Sequence, residues 1–229
     1  MNPTQVRNDL QNAFDLFAEK GIALICQQIT DERESKYRRI TWRQSSETIS
    51  KPQFFGTVEQ YLSILKDNSF SCLLFDGSIL RTSYSYHRND LIAHNLWYYP
   101  CPFEFPRDEL LTEPLGDLID IYSEAGTEYF RLRGPIRFDY DVMRAEELEH
   151  PSVHAHFIND DCRIPVKRPL SPGTFFKFIF FNFYKELWNS FSFLRELPED
   201  TFNQTILPNE EKFIHFSWNP GEIRVKPRY

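Results

Sequence analysis

An α+β fold is what this 229-residue sequence predicts: an antiparallel sheet of meander and hairpins, with N-terminal helices and a buried Phe-rich helix packed on it. Three observations carry that prediction. The middle of the chain is a series of short alternating runs punctuated by turn residues, which antiparallel strands can join with short loops. The chain opens on apolar residues at helical spacing. Near its end, Ser171-Pro172 introduces a run unusually rich in Phe, a residue that occurs 22 times here. There is no repeat, low-complexity segment or clean linker, so residues 1–229 read as one domain.

The elements follow in order. Residues 4–20 form an amphipathic helix, with Thr4 able to cap it and Val6, Leu10, Ala13, Phe14 and Phe17 on one face. Gly21 allows a break before residues 22–28, which fit a short helix or a strand. Residues 31–43 are charged and read as a loop leading into a strand. Thr57 and Gln60 mark a helix start at 57–67, with Tyr61, Leu62 and Leu65 as its apolar face. Residues 70–75 are a strand, Asp76-Gly77 a hairpin turn, and 78–86 and 91–99 the next strands around Arg88-Asn89-Asp90. Pro100, Pro102 and Pro106 end the meander, because each removes a ladder donor. Residues 108–122 connect through a short helix. Strands are predicted at 128–133 and 136–141, an acidic loop or short helical segment at 143–149, and a hairpin at 152–158 and 163–166 with Asn159-Asp160-Asp161 at its turn. The Phe-rich helix spans 174–188 through Phe176, Ile179, Phe180, Phe183 and Leu187. A further helix at 190–197 and a last strand at 213–218 complete the reading.

Composition narrows the function classes. The net charge of −7 does not advertise a nucleic-acid binder, although Arg131, Arg133, Arg137, Arg163, Lys167 and Arg168 leave room for a local basic face. Cys26, Cys72, Cys101 and Cys162 lack CxxC spacing, which argues against a zinc knuckle and fits reduced thiols in a cytoplasm. The N-terminus lacks the apolar stretch of a signal peptide. The most apolar run, 175–183, is too short to span a bilayer and is interrupted by Lys177 and Asn182. A cytoplasmic protein that does not enter a membrane is the expectation. No Walker motif, Rossmann fingerprint or GxSxG is present, which disfavours familiar ATPase, dehydrogenase and serine-hydrolase chemistry.

The densest chemistry lies between residues 137 and 184. Asp139 and Asp141 share a side if 136–141 is extended, and His154 and His156 share a side on the next strand. Imidazoles that titrate near neutrality, together with carboxylates, form either an acid/base cluster or a site for a divalent cation. No HExxH or EF-hand pattern selects the metal version. Arg163 offers a planar fork for a phosphate, or a partner for Asp160 or Asp161. The aspartates have Arg131 and Arg133 as structural alternatives. His150 precedes Pro151 and reads as a loop constraint. Tyr84, Tyr86, Tyr98 and Tyr99 alternate as core aromatics do, rather than as a platform for bases.

Two blocks carry a resemblance. One is FDGSILRTSYSY at 75–86 with HNLWYYPCPF at 94–103. The other comprises RFDYD, HPSVHAH, CRIPV and PLSPGTFFKFIFFNFY within 137–184. Together they resemble the bacterial domain-of-unknown-function family 2290, from about the first helix to the Phe-rich helix. That resemblance implies no activity. The second block alone is similar to small TumE-like toxins, which implies toxin or phage-defence biology and an action on RNA or nucleotides. The combined expectation is a component of a bacterial defence or toxin–antitoxin-like system, a nuclease with His154 and His156 as base and acid. Arg163 would stabilise the charged transition state, and Asp139 or Asp141 would orient a histidine or hold a metal. A partner protein encoded nearby and an RNA or DNA substrate go with it. The alternative is a non-catalytic interaction subunit of a multi-protein defence complex. A polar cleft lined by His154, His156 and Arg163 favours the first, and an exposed apolar patch the second.

Overall fold

Nine strands join one antiparallel sheet in the computed structural model, which describes residues 1–43, 56–126, 129–158, 161–199 and 201–218. The chain enters through α1 (Pro3–Glu19), whose cap is Asn2 rather than Thr4: Asn2 Oδ1 accepts the Gln5 N–H at 3.0 Å, and Pro3 sits in the first turn. Val6, Leu10, Ala13, Phe14 and Phe17 are all buried. Gly21, at φ 66, turns the chain into β1 (Ala23–Cys26), the strand alternative for that segment. Of the charged stretch expected as a loop leading into a strand, the strand is β3 (Tyr37–Trp42), and the loop is instead a strand as well, β2 (Ile29–Glu34), its hairpin partner. Its charges stabilise an outer strand: Asp31 receives Arg38 at 2.6 Å and Arg33 at 2.9 Å.

Helix α2 (Val58–Lys66) is capped by Thr57, whose Oγ1 accepts the Gln60 N–H at 3.1 Å, and it buries Tyr61 and Ile64. Strand β4 (Cys72–Leu74) turns at Asp76-Gly77 into β5 (Ile79–His87), which pairs with β6 (Asp90–Tyr99). Helices α3 (Arg107–Thr112) and α4 (Leu115–Ala125) lead to β7 (Ile136–Asp141), β8 (Val153–Phe157) and β9 (Ile164–Pro165). The outer row is β1 followed by β2. They pair with β4 and β3, which both pair with β5, and the order then runs β6, β7, β8, β9.

The tail of the chain departs from the sequence reading in several places. The Phe-rich helix, α5 (Pro172–Phe183), is capped by Ser171 but stops at Tyr184, and α6 (Lys185–Ser190) and α7 (Phe193–Glu196) follow. At the break the Tyr184 hydroxyl donates to Asp76 Oδ2 at 3.0 Å. Lys177, which interrupts the apolar run, lies buried in an ion pair with Glu199. In the predicted 128–133 strand, whose residue 128 lies outside the described residues, only Phe130 bridges, to Phe103. Likewise only Phe216 bridges within 213–218, to Val166. Of the predicted turn, Asn159 and Asp160 lie outside the described residues.

The sheet separates two environments. One face presents Leu80, Tyr84, Tyr86, Leu96, Tyr98, Phe138 and Ala155 to α1, α5, α6 and α7. Phe17 of α1 meets Phe176 and Phe180 of α5 at ring distances of 5.2 and 5.1 Å. On the other face Ile79, Trp97 and Tyr99 are covered by α2 and α4. The rest of that second face is open, and it is polar. The architecture is α+β, with aromatic-rich helices on an open antiparallel sheet. Among the described residues, no helix is long and apolar enough to cross a membrane.

Candidate functional site

Register assembles the polar cleft. Strand β7 pairs with β8 so that Asp139 faces His154 and Arg137 faces His156. It pairs with β6 so that Asn95 faces Asp139 and Trp97 faces Arg137. Cross-strand partners share a face, so while Trp97 lies under α2 and α4, Asn95, Arg137, Asp139, His154 and His156 converge on the uncovered part of that face. They line a cleft of about 620 Å³, together with Asp141, Arg163, Arg39, Ser83, Arg144 and His150. All five residues singled out from the sequence (Asp139, Asp141, His154, His156 and Arg163) are therefore neighbours in one cleft.

The floor is imidazole. His154 and His156 are each 1% exposed, with ring centroids 4.7 Å apart, and His150 lies 4.6 Å from His154. His154 Nδ1 lies 2.7 Å from the Pro151 carbonyl, which can only accept. Nδ1 therefore carries the hydrogen, and Nε2 presents a bare lone pair. Burial pushes His154 down to about 4, so its ring is neutral at pH 7. His150-Pro151 thus contributes more than a chain constraint, since its carbonyl sets the tautomer of a floor histidine.

Asp139 is the anionic anchor. Its Oδ2 lies 2.7 Å from Arg137 Nε and 3.4 Å from His156 Nε2, and its Oδ1 accepts from Asn95 Nδ2. Burial pushes this carboxyl up, but the His156 contact and the Arg137 charge outweigh it and hold the group below the usual carboxylate range. Arg137 Nη2 also lies 3.0 Å from His156 Nε2. A guanidinium only donates, so Nε2 accepts when this contact is a hydrogen bond and the ring hydrogen is then on Nδ1, whereas an Nε2–H donates to Asp139 Oδ2. That Nδ1 is buried without a hydrogen-bond partner among the described residues.

Arg137 is held from its other partners too. Its guanidinium lies 5.3 Å from the Trp97 ring, Arg81 lies 4.9 Å from the same ring, and Arg81 also lies 5.2 Å from Trp42. Burial, and then the charge of Arg39, lower Arg81 to about 10. Asp141 serves its loop: Oδ1 accepts the Met143 N–H at 2.9 Å, and Oδ2 lies 3.6 Å from Arg144. Arg163 stands exposed at the edge of the cleft.

Asp139, His154 and His156 offer ligand atoms within 4.8 Å of one another, the donor set a divalent transition metal takes. Arg137 already addresses Asp139 and His156, two of those three residues. A metal there would compete with the protein's own cation.

A family described as an uncharacterized conserved protein (DUF2290) has a model that matches residues 24–218. The chain belongs to that family. The DUF2290 match takes in every strand that builds the cleft, β3 and β5 through β9. No curated protein and no solved structure matches the chain.

Some of the cleft escaped the sequence reading. Arg137, not Arg131 or Arg133, pairs with Asp139; Arg131 pairs with Glu104. The signal was present, since 137, 139 and 141 alternate on one side of a strand. Asn95, Arg39 and Ser83 gave no local signal, because only strand pairing brings them to the cleft. Tyr84, Tyr86, Tyr98 and Tyr99 are buried core residues.

Proposed function

We propose that the cleft binds and cleaves a phosphodiester, as the nuclease component of a bacterial defence or toxin–antitoxin-like system. The observation that carries this reading is a neutral imidazole of fixed tautomer on the floor of an arginine-walled cleft. His154 Nε2 accepts the proton of the attacking hydroxyl or water. His156 acts in its protonated form, with Asp139 Oδ2 3.4 Å from its Nε2, and gives its proton to the leaving oxygen as His154 takes one, so one proton enters the pair and one leaves. Arg163 and Arg39 place donors around the phosphoryl oxygens, where charge accumulates in the transition state. Arg137 keeps Asp139 ionised beside His156 without a metal. We extend the proposal to RNA or a nucleotide as the substrate and to a partner protein encoded nearby, on the TumE-like pattern read in residues 137–184 of the sequence. A polar cleft, rather than an apolar patch, on the open face supports catalysis over a purely adhesive role.

The test is cleavage of RNA and DNA by purified wild type and variants, with magnesium, with manganese and with EDTA. His154→Ala and His156→Ala should each lower the rate by about 10²–10⁴-fold while leaving the melting curve cooperative. Persistence in EDTA is expected. Loss in EDTA would transfer Asp139, His154 and His156 to metal binding. Silence of the wild type, alone and with the neighbouring gene product, would reassign the protein as a non-catalytic interaction subunit.

A further inference from the structure

The positive charge of the cleft is confined. Four arginines, 39, 137, 144 and 163, line it against Asp139 and Asp141, and both aspartates are engaged by Arg137 and Arg144. Beyond the cleft on the same face the pattern changes sign. Exposed Glu32 stands opposite Arg39, and exposed Glu34 stands opposite Tyr37. Exposed Asp90 stands opposite His87. At the two hairpin tips Lys36 and Arg88 are matched by Glu34 and Asp90. A polynucleotide track needs a basic stripe to follow successive phosphates, and among the described residues of β2, β3, β5 and β6 the stripe ends within the cleft.

An aromatic pair lies just beyond the last arginine. Tyr37 is 59% exposed, and its ring lies 5.2 Å from His87, its register partner. Tyr37 and Arg39 are two residues apart on one side of β3, a separation of about 7 Å along a strand. One nucleoside spans that interval. A volume of about 620 Å³ also falls among pockets for small ligands.

From this placement, and resting on the phosphodiester reading above, we infer that the cleft takes a single nucleotide unit, with its phosphate between Arg39 and Arg137 and its base against Tyr37 and His87. The unit is either a free nucleotide-sized phosphodiester or the terminal nucleotide of a strand. It is not an internal stretch of polymer, whose flanking phosphates would find no run of unmatched positive charge on the β2, β3, β5 and β6 side of the cleft.

Binding of full-length His154→Asn protein decides this without needing turnover. The probes are inorganic phosphate, the dinucleotide ApA, and linear and circular oligoadenylates of increasing length. Affinity should rise from phosphate to ApA and then stop rising with length. With one or two phosphates engaged, the salt dependence of log K should have a slope of about −1 at every length. Tyr37→Ala should weaken ApA by about 5- to 100-fold while sparing phosphate, and Arg39→Gln should weaken both. Linear chains that match ApA while circles bind worse identify a chain end. Linear chains that also bind worse identify a free nucleotide. Affinity that climbs with length at a slope steeper than about −3, or circles that bind as well as linear chains, would overturn the inference. So would ApA binding no more tightly than phosphate. Tight ApA binding with no cleavage by wild type would sink the nuclease reading and leave this one standing.

Discussion

Acid should unfold this protein early, through two buried imidazoles. His94 and His154 are 3% and 1% exposed, and burial lowers each from 6.5 to about 4. His94 accepts the Leu170 N–H on Nε2 at 3.1 Å, and His154 donates from Nδ1 to Pro151, so both rings are built into the fold as neutral groups. Around His154 stand His150, His156 and Asp139, and only the last favours its protonation. The unfolded chain protonates these rings near pH 6.5, while the folded chain resists until about pH 4. Between those values the unfolded state binds more protons, so stability is full above pH 6.5 and falls as pH is lowered. Each ring contributes on the order of 3 kcal/mol across that window, and the slope reaches about 2.7 kcal/mol per pH unit for the pair. Against a typical total of about 5–15 kcal/mol, that is a large fraction. Urea unfolding followed by tryptophan fluorescence, at several pH values between 7 and 4.5, measures it directly. The midpoint should fall steadily below pH 6.5, and His154→Gln should remove about half of the slope. A midpoint independent of pH over this range, or an unchanged slope in His154→Gln, would refute the assignment of neutral buried rings.

Further predictions follow from packing and charge. Phe176 and Phe180 are fully buried against Phe17, so Phe176→Ala or Phe180→Ala should cost about 3–5 kcal/mol in chemical unfolding. Gly77 sits at φ 82, where a Cβ would meet Cys101 Sγ and Tyr61 Oη at 3.0 Å, so Gly77→Ala should lower the melting temperature through both strain and crowding. Arg137→Gln should destabilise by roughly 3–5 kcal/mol, because it leaves Asp139 with an uncompensated charge, and the double variant with Asp139→Asn should recover part of that loss. Arg163→Lys should reduce cleavage while leaving the unfolding midpoint in place, since this exposed side chain loses only its planar fork.

What could be read from the sequence divides along the reach of each signal. Alternation in β5 and β7 and the Ser171 cap of α5 are local, and the folded chain has them where the pattern put them. Strand β2 was hidden because its residues are charged. An outer strand with solvent on its exposed side has no need of apolar alternation, and Arg38–Asp31 holds it instead. At the end of α5, the contact of the Tyr184 hydroxyl with Asp76 was hidden because the two lie 108 residues apart. In the cleft, the pairing of Asp139 with histidines could be inferred from spacing alone. The tautomer of His154 could not, since it depends on where the Pro151 carbonyl points. Nor could the burial that takes its titration away from neutrality.

The packing of α1 on α5 sets a schedule for the newborn chain. Phe14 and Phe17 find Phe176 only after more than two-thirds of the 229 residues have been made. Until then the meander can zip up strand by strand, but one whole side of it, with Leu80, Tyr84, Leu96 and Phe138, has no cover. Such an intermediate is sticky and open to chaperones or proteases. Because β7 and β8 share that unbacked sheet, the imidazole floor stiffens late, when α1 and α5 close over the opposite face. Ribosome-bound chains halted before residue 172 should be protease-sensitive throughout. Chains released just beyond α7 should acquire protection in the first helix and in the floor strands at the same moment.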